Sequence, residues 1–543
     1  MHRTKIAHPI FVAMRFSINA IGYLFVAIFV VVGAVLLFVP MVHTGDGWGY
    51  ATDVLRAETW NSPHLVSAHH LFYNYLCYAL TPILISCKIN PINGFTAINW
   101  IFYGFAIFVF YQLLLALRYN KNQSLYWTIL IAGCFGLLRF ALENETYILP
   151  LFFALLGSHF IIHLNNRRSN EFIGFSFLAI SVLFHQSYIF WLLAFVVNAI
   201  DRRRPFAPLI AILIIISFYV LFAIKEKQPI LTFVLHDVNS GLVQVFPNLN
   251  NLKFTLINGI RTIFQVHGNM LILFENWIVI SIIGISGATL FFVGVFKSLK
   301  NQTYRSTLDI KKFRSSSTLI KRFRNPFFVA FVLQLAFAFY SVGNAEFMVM
   351  LPMLFILSFH DKIIPVFKHI RKMVLGIWIY NAVFFLVPTC MGSFDDIGLT
   401  SKMLIQEHSS KPFVFISTQA IAIQNQIEYD GAMQKINATS MGQTSNPNVS
   451  KFKLDGQFLI GQNSDEMHLI NRALINLNTD VYTDNSIIFN KISGGSRAAF
   501  LINPKLKNEL SNRTWQTVRE DSFTSPRRKL ELFKMVRGVC ISH

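Results

Sequence analysis

A mainly α-helical bundle that crosses a membrane many times, followed by a small α/β domain outside the bilayer, is the fold class this sequence predicts. Three observations lead there. Of 543 residues, 54% are hydrophobic and only 14% charged, a balance outside that of soluble domains and inside that of polytopic membrane proteins. Apolar runs of roughly 17 to 25 residues recur as far as Met391, each about long enough to cross ~30 Å of hydrocarbon. Beyond Met391 the runs stop and the composition becomes that of a soluble domain.

The formal net charge of +20 raises nucleic acid as a partner. The lysines and arginines, however, cluster in short loops between apolar runs, where the positive-inside bias of membrane proteins puts them. Membrane lipids, and no nucleic acid, are the expected partners. Cys77, Cys87, Cys134, Cys390 and Cys540 are scattered without CxxC spacing, so neither a zinc site nor a disulfide framework is indicated. The basic amino end leads into an apolar segment too long for a signal h-region and lacking a small-residue cleavage pattern, which reads as a retained signal anchor.

The first span is expected over Ile18–Val42, and Arg3, Lys5 and Arg15 put its start in the cytoplasm. It delivers the chain to a polar stretch, HTGDGWGYATDVLRAETWNSPHLVSAHHLFYNY from His43 to Tyr75, within a loop spanning 43–95. The glycines flanking Asp46 are expected to let the backbone turn sharply there. Leu71–Cys87 is read as an interfacial helix, because that choice keeps Arg118, Lys121, Arg167, Arg168 and Arg202-Arg203-Arg204 on the cytoplasmic side. Further spans follow at Thr96–Leu117, Ser124–Leu142, Tyr147–Leu164, Phe172–Phe184, Ser187–Ile200, Pro205–Ile224, Trp277–Phe296, Pro326–Val342, Phe347–His360 and Met373–Met391. With the first they make about eleven, amino end in and carboxyl end out.

Residues 1–391 thus form the transmembrane domain, with an outer loop at 225–276 whose Lys225–Gly268 portion reads as amphipathic helices on the membrane surface. The basic Lys297–Asn325 loop is a topology determinant or, alternatively, a binder of anionic headgroups. Residues 392–543 form the extracytoplasmic α/β domain. KPFVFISTQAIAIQNQIEYDG reads as a buried strand then a helix, and HLINRALINLNTDVYTDNSIIFN as a helix then strands. GGSR at Gly494 is a lone turn signal, and no repeat suggests an inverted-repeat transporter.

In this topology four polar clusters meet on the outer face: Asp46 with Trp48 and Tyr50, the segment from Arg139 to Glu145 (RFALENE), His185-Gln186-Ser187, and Asn344-Ala345-Glu346. Ionisable groups at membrane depth cost ~2.5 to 3.5 kcal/mol each, so several together mark a working site. Each also has a plainer reading. Asp46 would cap a juxtamembrane helix. Arg139 and Glu143 would pair across one helical turn, Glu143 and Glu145 would form a solvated loop, His185 would be a bundle histidine, and Asn344 and Glu346 would end helices. His69-His70 raises a metal, but adjacent helical histidines point about 100° apart and no third ligand has suitable spacing. No metal or other cofactor is expected.

A basic amino end, one span, an outer loop with an acid in a GDxxxY setting, a juxtamembrane segment, and arginine followed by acids at the outer end of a later span resembles the GT-C fold glycosyltransferases. RFALENETYILPLFFALLGSHF is similar to the stretch in protein O-mannosyltransferases and aminoarabinose transferases where an arginine and then an acid precede a long apolar helix. DGWGYATDVLRAETWNSPHLVSAHHLFY resembles the DSGEF…HPPGxPLY stretch of the mannosyltransferase-like family related to transmembrane protein 260. Here the double acid is replaced by Asp46-Gly47, and the Pro-Pro pair by Ser62-Pro63-His64.

The resemblance implies a membrane glycosyltransferase taking a sugar from a polyprenyl phosphate to an acceptor hydroxyl on a protein, lipid or glycan, on the periplasmic side of a bacterial inner membrane. Its chemistry needs a carboxylate to accept the hydroxyl proton and cations to hold the phosphate. Asp46 is the expected base, Arg139 the first phosphate ligand, and Lys225 and Lys227 its helpers. Trp48, Tyr50, His69, His70, Glu143, Glu145, His185 and Glu346 would line the pocket, and displacement by one base would invert the anomeric centre. An envelope polysaccharide polymerase or ligase and a lipid-linked sugar flippase are the alternatives. The first wants an arginine-rich outer loop, which Lys225–Gly268 is not; the second wants charges at mid-membrane.

Overall fold

The computed structural model describes residues 29–33, 43–163, 168–235, 247–266, 273–274, 277–303, 324–389, 396–407, 413–417, 419–440, 456–459, 469, 480–484, 515–524 and 529–537. Most of the expected first span, most of the Lys297–Asn325 loop, Cys390, Cys540, Gly494 and nearly all of the helix read into HLINRALINL lie outside them.

Helix α1, Gly45–Arg56, carries Asp46 in its first turn. Thr44 is its N-cap, with the hydroxyl accepting from Gly47 N at 3.2 Å, so Asp46 is not the capping side chain. The expected sharp turn is absent, because Gly45, Gly47 and Gly49 are all helical and Gly343 is the one glycine with positive φ among the described residues. These glycines serve close approach instead. A Cβ on Gly45 would lie 2.9 Å from Ala422 Cβ, one on Gly49 3.0 Å from the Asn425 amide nitrogen, and one on Gly47 3.0 Å from Asn144 O. The first turn of α1 is therefore wedged between two other parts of the chain.

Helix α2, Tyr73–Ser86, has 14 residues and a length of ~21 Å, short of a full crossing. Helix α3, Pro91–Ala116, begins with proline at its first position, where the missing N–H costs nothing. The span expected at Ser124–Leu142 is two helices, α4 (Lys121–Ala132) and α5 (Phe135–Leu142), bent by 64°. Then come α6 (Ile148–His163), α7 (Arg168–Phe184), α8 (Ile189–Asp201), α9 (Phe206–Lys225) and α10 (Leu249–Arg261). They are followed by α11 (Ile278–Thr303), α12 (Pro326–Tyr340), α13 (Leu351–Ile363) and α14 (Ile370–Asn381), the last continuing through a π-helical turn to Thr389.

Four of the described helices are long and apolar enough to cross a membrane, or five with the bent pair, against about eleven expected. Polar segments set several of the ends of the others. Residues 143–147 end α5, His185-Gln186 separates α7 from α8, and residues 341–346 end α12. Apolar side chains nevertheless face outward on α9 and α11, with Leu221 61% and Val279 68% exposed. Such faces suit hydrocarbon and not water, and the chain is an integral membrane protein.

The carboxyl-terminal segment supplies α15 (Asp396–Glu407), α16 (Ala420–Ser440) and strands β1 (Phe413–Ile416), β2 (Gly456–Leu459), β3 (Asp480–Asp484), β4 (Trp515–Thr524) and β5 (Lys529–Arg537). The sheet order is β2-β1-β3-β5-β4, parallel among the first three and antiparallel beyond. All four β1 residues, FVFI, are buried, as a central parallel strand under helices requires. The strand followed by a helix read from KPFVFISTQAIAIQNQIEYDG is the β1 and α16 pair.

Candidate active site

The break between α5 and α6 holds the sequence Glu143-Asn144-Glu145-Thr146-Tyr147, every residue of it buried. Buried polar groups must find partners, and these find them on other elements. Asn99 of α3 donates through Nδ2 to the carbonyls of Glu143 (2.8 Å) and Glu145 (2.7 Å). Asn144 accepts from Tyr73 Oη at 2.6 Å and donates to Gly47 O at 2.6 Å. Thr44 donates to Glu145 Oε1 at 2.7 Å while capping α1. The segment thereby locks the first turn of α1 against α2 and α3.

Asp46 emerges from that turn. It is solvent-exposed yet flanked by protein, and its carboxylate makes no hydrogen bond or ion pair with a described side chain. Burial, then the charge of Glu346, raises its pKa to about 6, against the opposing pull of Arg139. Glu145 is pushed well above the usual carboxylate range by burial and then by Asp46. Four carboxylates, those of Asp46, Glu143, Glu145 and Glu346, thus act on one another.

Arg139 of α5 meets Glu143 through Nε alone, at 3.0 and 3.2 Å from the two carboxylate oxygens. Its terminal nitrogens make no hydrogen bond to described residues and are not sealed from solvent. The ion pair expected from the i to i+4 spacing exists, and it leaves the outer fork of the guanidinium open. Glu143 is raised by burial and drawn back by Arg139.

A second guanidinium faces the same place. Arg261 ends α10, with its Cζ 5.5 Å from the centre of the Phe135 ring and Nε buried without a partner among the described residues. Burial and then the like charge of Arg139 push its pKa down to about 9, so it stays cationic at neutral pH. Two arginines that repel each other across one carboxylate make a place where an anion is welcome. The geometry that delivers Arg261 is the bend between α4 and α5. Phe135 N and Gly136 N, freed by the break, donate to Ile263 O (3.1 Å) and Thr262 O (3.0 Å), which follow directly on α10. Asn381 closes the other side, giving Nδ2 to Gly133 O (2.7 Å) and Ile263 O (2.8 Å) and taking Gln265 N at 3.1 Å. A broken helix at membrane depth is tolerated when its backbone groups are satisfied in this way.

Tyr147 Oη donates to Glu346 Oε2 at 3.1 Å, and Asn344 Nδ2 donates to the same oxygen at 3.2 Å. The Tyr147 ring lies 4.5 Å from His185, whose Nδ1 is held by Ser187. His70 is buried, with neither nitrogen partnered, beside Tyr50 (4.6 Å) and His185 (6.3 Å). Burial lowers its pKa to about 3, so it is a neutral imidazole. His69 lends its carbonyl to Gln186 N at 2.8 Å, fixing this segment to the end of α7. Trp48 is buried against His43 and Tyr429, on the packed side of α1.

Of the residues singled out from sequence, Asp46, Arg139, Glu143, Glu145 and Glu346 act on one another electrostatically, with Tyr50, His70 and His185 beside them. Lys225 and Lys227 stand elsewhere. Lys225 Nζ is 2.8 Å from Tyr75 Oη and 3.4 Å from Trp60 O, and Lys227 is exposed. Neither is among the charges that act on Asp46 or Glu143, whereas Arg261 acts on Glu143. The cation missed from sequence is Arg261. Among the described residues no group of three His, Cys, Asp or Glu side chains is arranged to hold a metal ion.

No family model matches the sequence, and no curated protein matches it. Among solved structures, crystal structures of ArnT from Cupriavidus metallidurans, bound to undecaprenyl phosphate and in the apo state, are similar. Each is 11% identical, with 95% of this chain and 98% of that chain covered and a TM-score of 0.43.

Proposed function

We propose that the chain is a membrane glycosyltransferase that moves a sugar from a polyprenyl-phosphate donor to an acceptor hydroxyl, with inversion, on the outer face of the membrane, which in a bacterium is the periplasmic face. The observation that carries this reading is an unengaged carboxylate, Asp46, that feels the charge of Arg139, whose terminal nitrogens make no hydrogen bond to described residues, with a second guanidinium, Arg261, acting on Arg139's partner Glu143. Asp46 takes the proton of the acceptor hydroxyl as its oxygen bonds to the anomeric carbon. The bond from that carbon to the phosphate oxygen breaks, its electron pair stays on the phosphate, and Arg139 and Arg261 hold the growing charge. Glu346, held by Tyr147 and Asn344, offers a hydrogen-bond partner for sugar or acceptor hydroxyls.

Membranes containing the full chain, supplied with polyprenyl-phosphate mannose, glucose or aminoarabinose labelled in the sugar, test the reading. Asp46→Asn is expected to abolish transfer while the protein still elutes as a folded species in detergent. Retained transfer by that variant removes the base assignment.

A further inference from the structure

Among the described residues, the carboxyl-terminal segment meets α1 on the face opposite residues 143–147. Asn425 of α16 donates Nδ2 to Gly45 O at 3.0 Å, the carbonyl immediately before Asp46. Its own carbonyl lies 2.9 Å from the Thr52 hydroxyl, which also sits 2.9 Å from Trp48 O. Arg56 Nη2 and Glu428 Oε2 pair at 2.9 Å at the far end of α1. Tyr429 packs its ring on Trp48 at 5.2 Å, receives Ile92 N at 3.2 Å and bonds Asn90 Oδ1, which ties α16 to the start of α3 as well. The two helices approach so closely because Gly45 and Gly49, four residues apart, present no side chain to Ala422 and Asn425.

We infer that α16 is a positioning element for the chemical step: through Asn425 and the contact of Gly45 with Ala422 it fixes the turn of α1 that aims Asp46, beyond any part the domain has in presenting an acceptor. The inference rests on the reading of Asp46 as the base. Asn425, Thr52, Gly45 and Ala422 are positioning residues and touch no substrate. A shift of about 1 Å in a reacting group costs on the order of 100-fold in rate, and the contacts at Gly45 are tight enough to impose one.

The test uses the full chain and the labelled polyprenyl-phosphate sugars named above, with transfer to acceptor and to water both measured. Asn425→Asp keeps the size and loses the donor to Gly45 O. Gly45→Ala drives a methyl against Ala422 Cβ at 2.9 Å. Each is expected to lower kcat about 10- to 100-fold on both acceptors with the donor KM within about threefold. Adding Ala422→Gly to Gly45→Ala removes the 2.9 Å contact and leaves one of 3.2 Å to the Cα of residue 422, so it is expected to return part of the loss. A reading that needs no sugar runs in parallel: hydrogen exchange of the α1 amides is expected to speed up in Asn425→Asp. Loss confined to the acceptor KM, unchanged transfer to water, no rescue by Ala422→Gly, or unchanged α1 exchange would each overturn the inference. Asp46→Asn separates the two failures, since an active Asp46→Asn defeats the base reading whatever Asn425→Asp does.

Discussion

Asp46 accepts a proton only when ionised, and its neighbours set the pH at which that happens. With its pKa raised to about 6 by burial and then by Glu346, kcat/KM is expected to rise with pH through about 6 and level off above it, because below that pH the carboxyl already carries the proton it must take. Glu346→Gln removes a negative charge that disfavours ionisation of Asp46, so the acid limb should move to lower pH. A limb that stays in place or moves up would show that Glu346 does not act on the base. Arg261 allows a separate test. In the proposed reaction its hydrogen bonds to the donor phosphate would be charge-assisted, worth ~1.5 to 3 kcal/mol, so Arg261→Met should raise the donor KM roughly 10- to 150-fold. The acceptor KM should not follow, and equal changes in both would argue for a merely structural guanidinium. Arg139, Glu143 and Glu145 were legible in the sequence because ionisable residues at the end of an apolar run are costly and therefore conspicuous. Arg261 was not, since LNNLKFTLINGIR reads as an ordinary surface helix with one more cation. Only the fold puts its last residue beside α5.

At the scale of elements, the bend between α4 and α5 decides where both arginines point. Gly133-Cys134 is a weak break signal within an apolar run, so the sequence reads as one span from Ser124 to Leu142. The partners that hold the break open come from Asn381 and Ile263, far along the chain, and no local pattern announces them. Asn381→Leu would leave Gln265 N and Gly133 O buried with lost partners, at ~1 to 3 kcal/mol apiece. It should lower the thermal midpoint by several degrees in detergent and raise the donor KM as Arg261 loses its seat. Unchanged stability would mean that the bend does not depend on this amide. The glycines of α1 make the same point. Their spacing was plain, but their purpose lay with α16, whose Asn425 is 380 residues from Gly45.

For the whole molecule, the charge at the two ends of the bent pair bears on which end faces which compartment. The bent pair runs from Lys121 to Leu142, roughly 25 Å end to end with a 64° bend, and Asp46, Arg139 and Glu346 gather at its Leu142 end. Around its Lys121 end lies a groove of about 530 Å³ lined by Lys121, Lys368 and Arg371 among others, with no acid in its wall. Lysines and arginines gathered at the Lys121 end are what the positive-inside bias keeps in the cytoplasm, so on the proposed reading the groove is expected on the cytoplasmic side and Asp46 outside. Glu58→Cys, in the exposed turn after α1, should therefore react with a membrane-impermeant maleimide added to intact spheroplasts. Lys121→Cys, equally exposed, should react only after the membrane is opened. Cys87 is also exposed, so both variants are to be made in a Cys87→Ser background to keep its signal out. Labelling of Lys121→Cys from outside, with Glu58→Cys protected, would turn the molecule over and place Asp46 in the cytoplasm, where a donor displayed on the outer leaflet could not reach it.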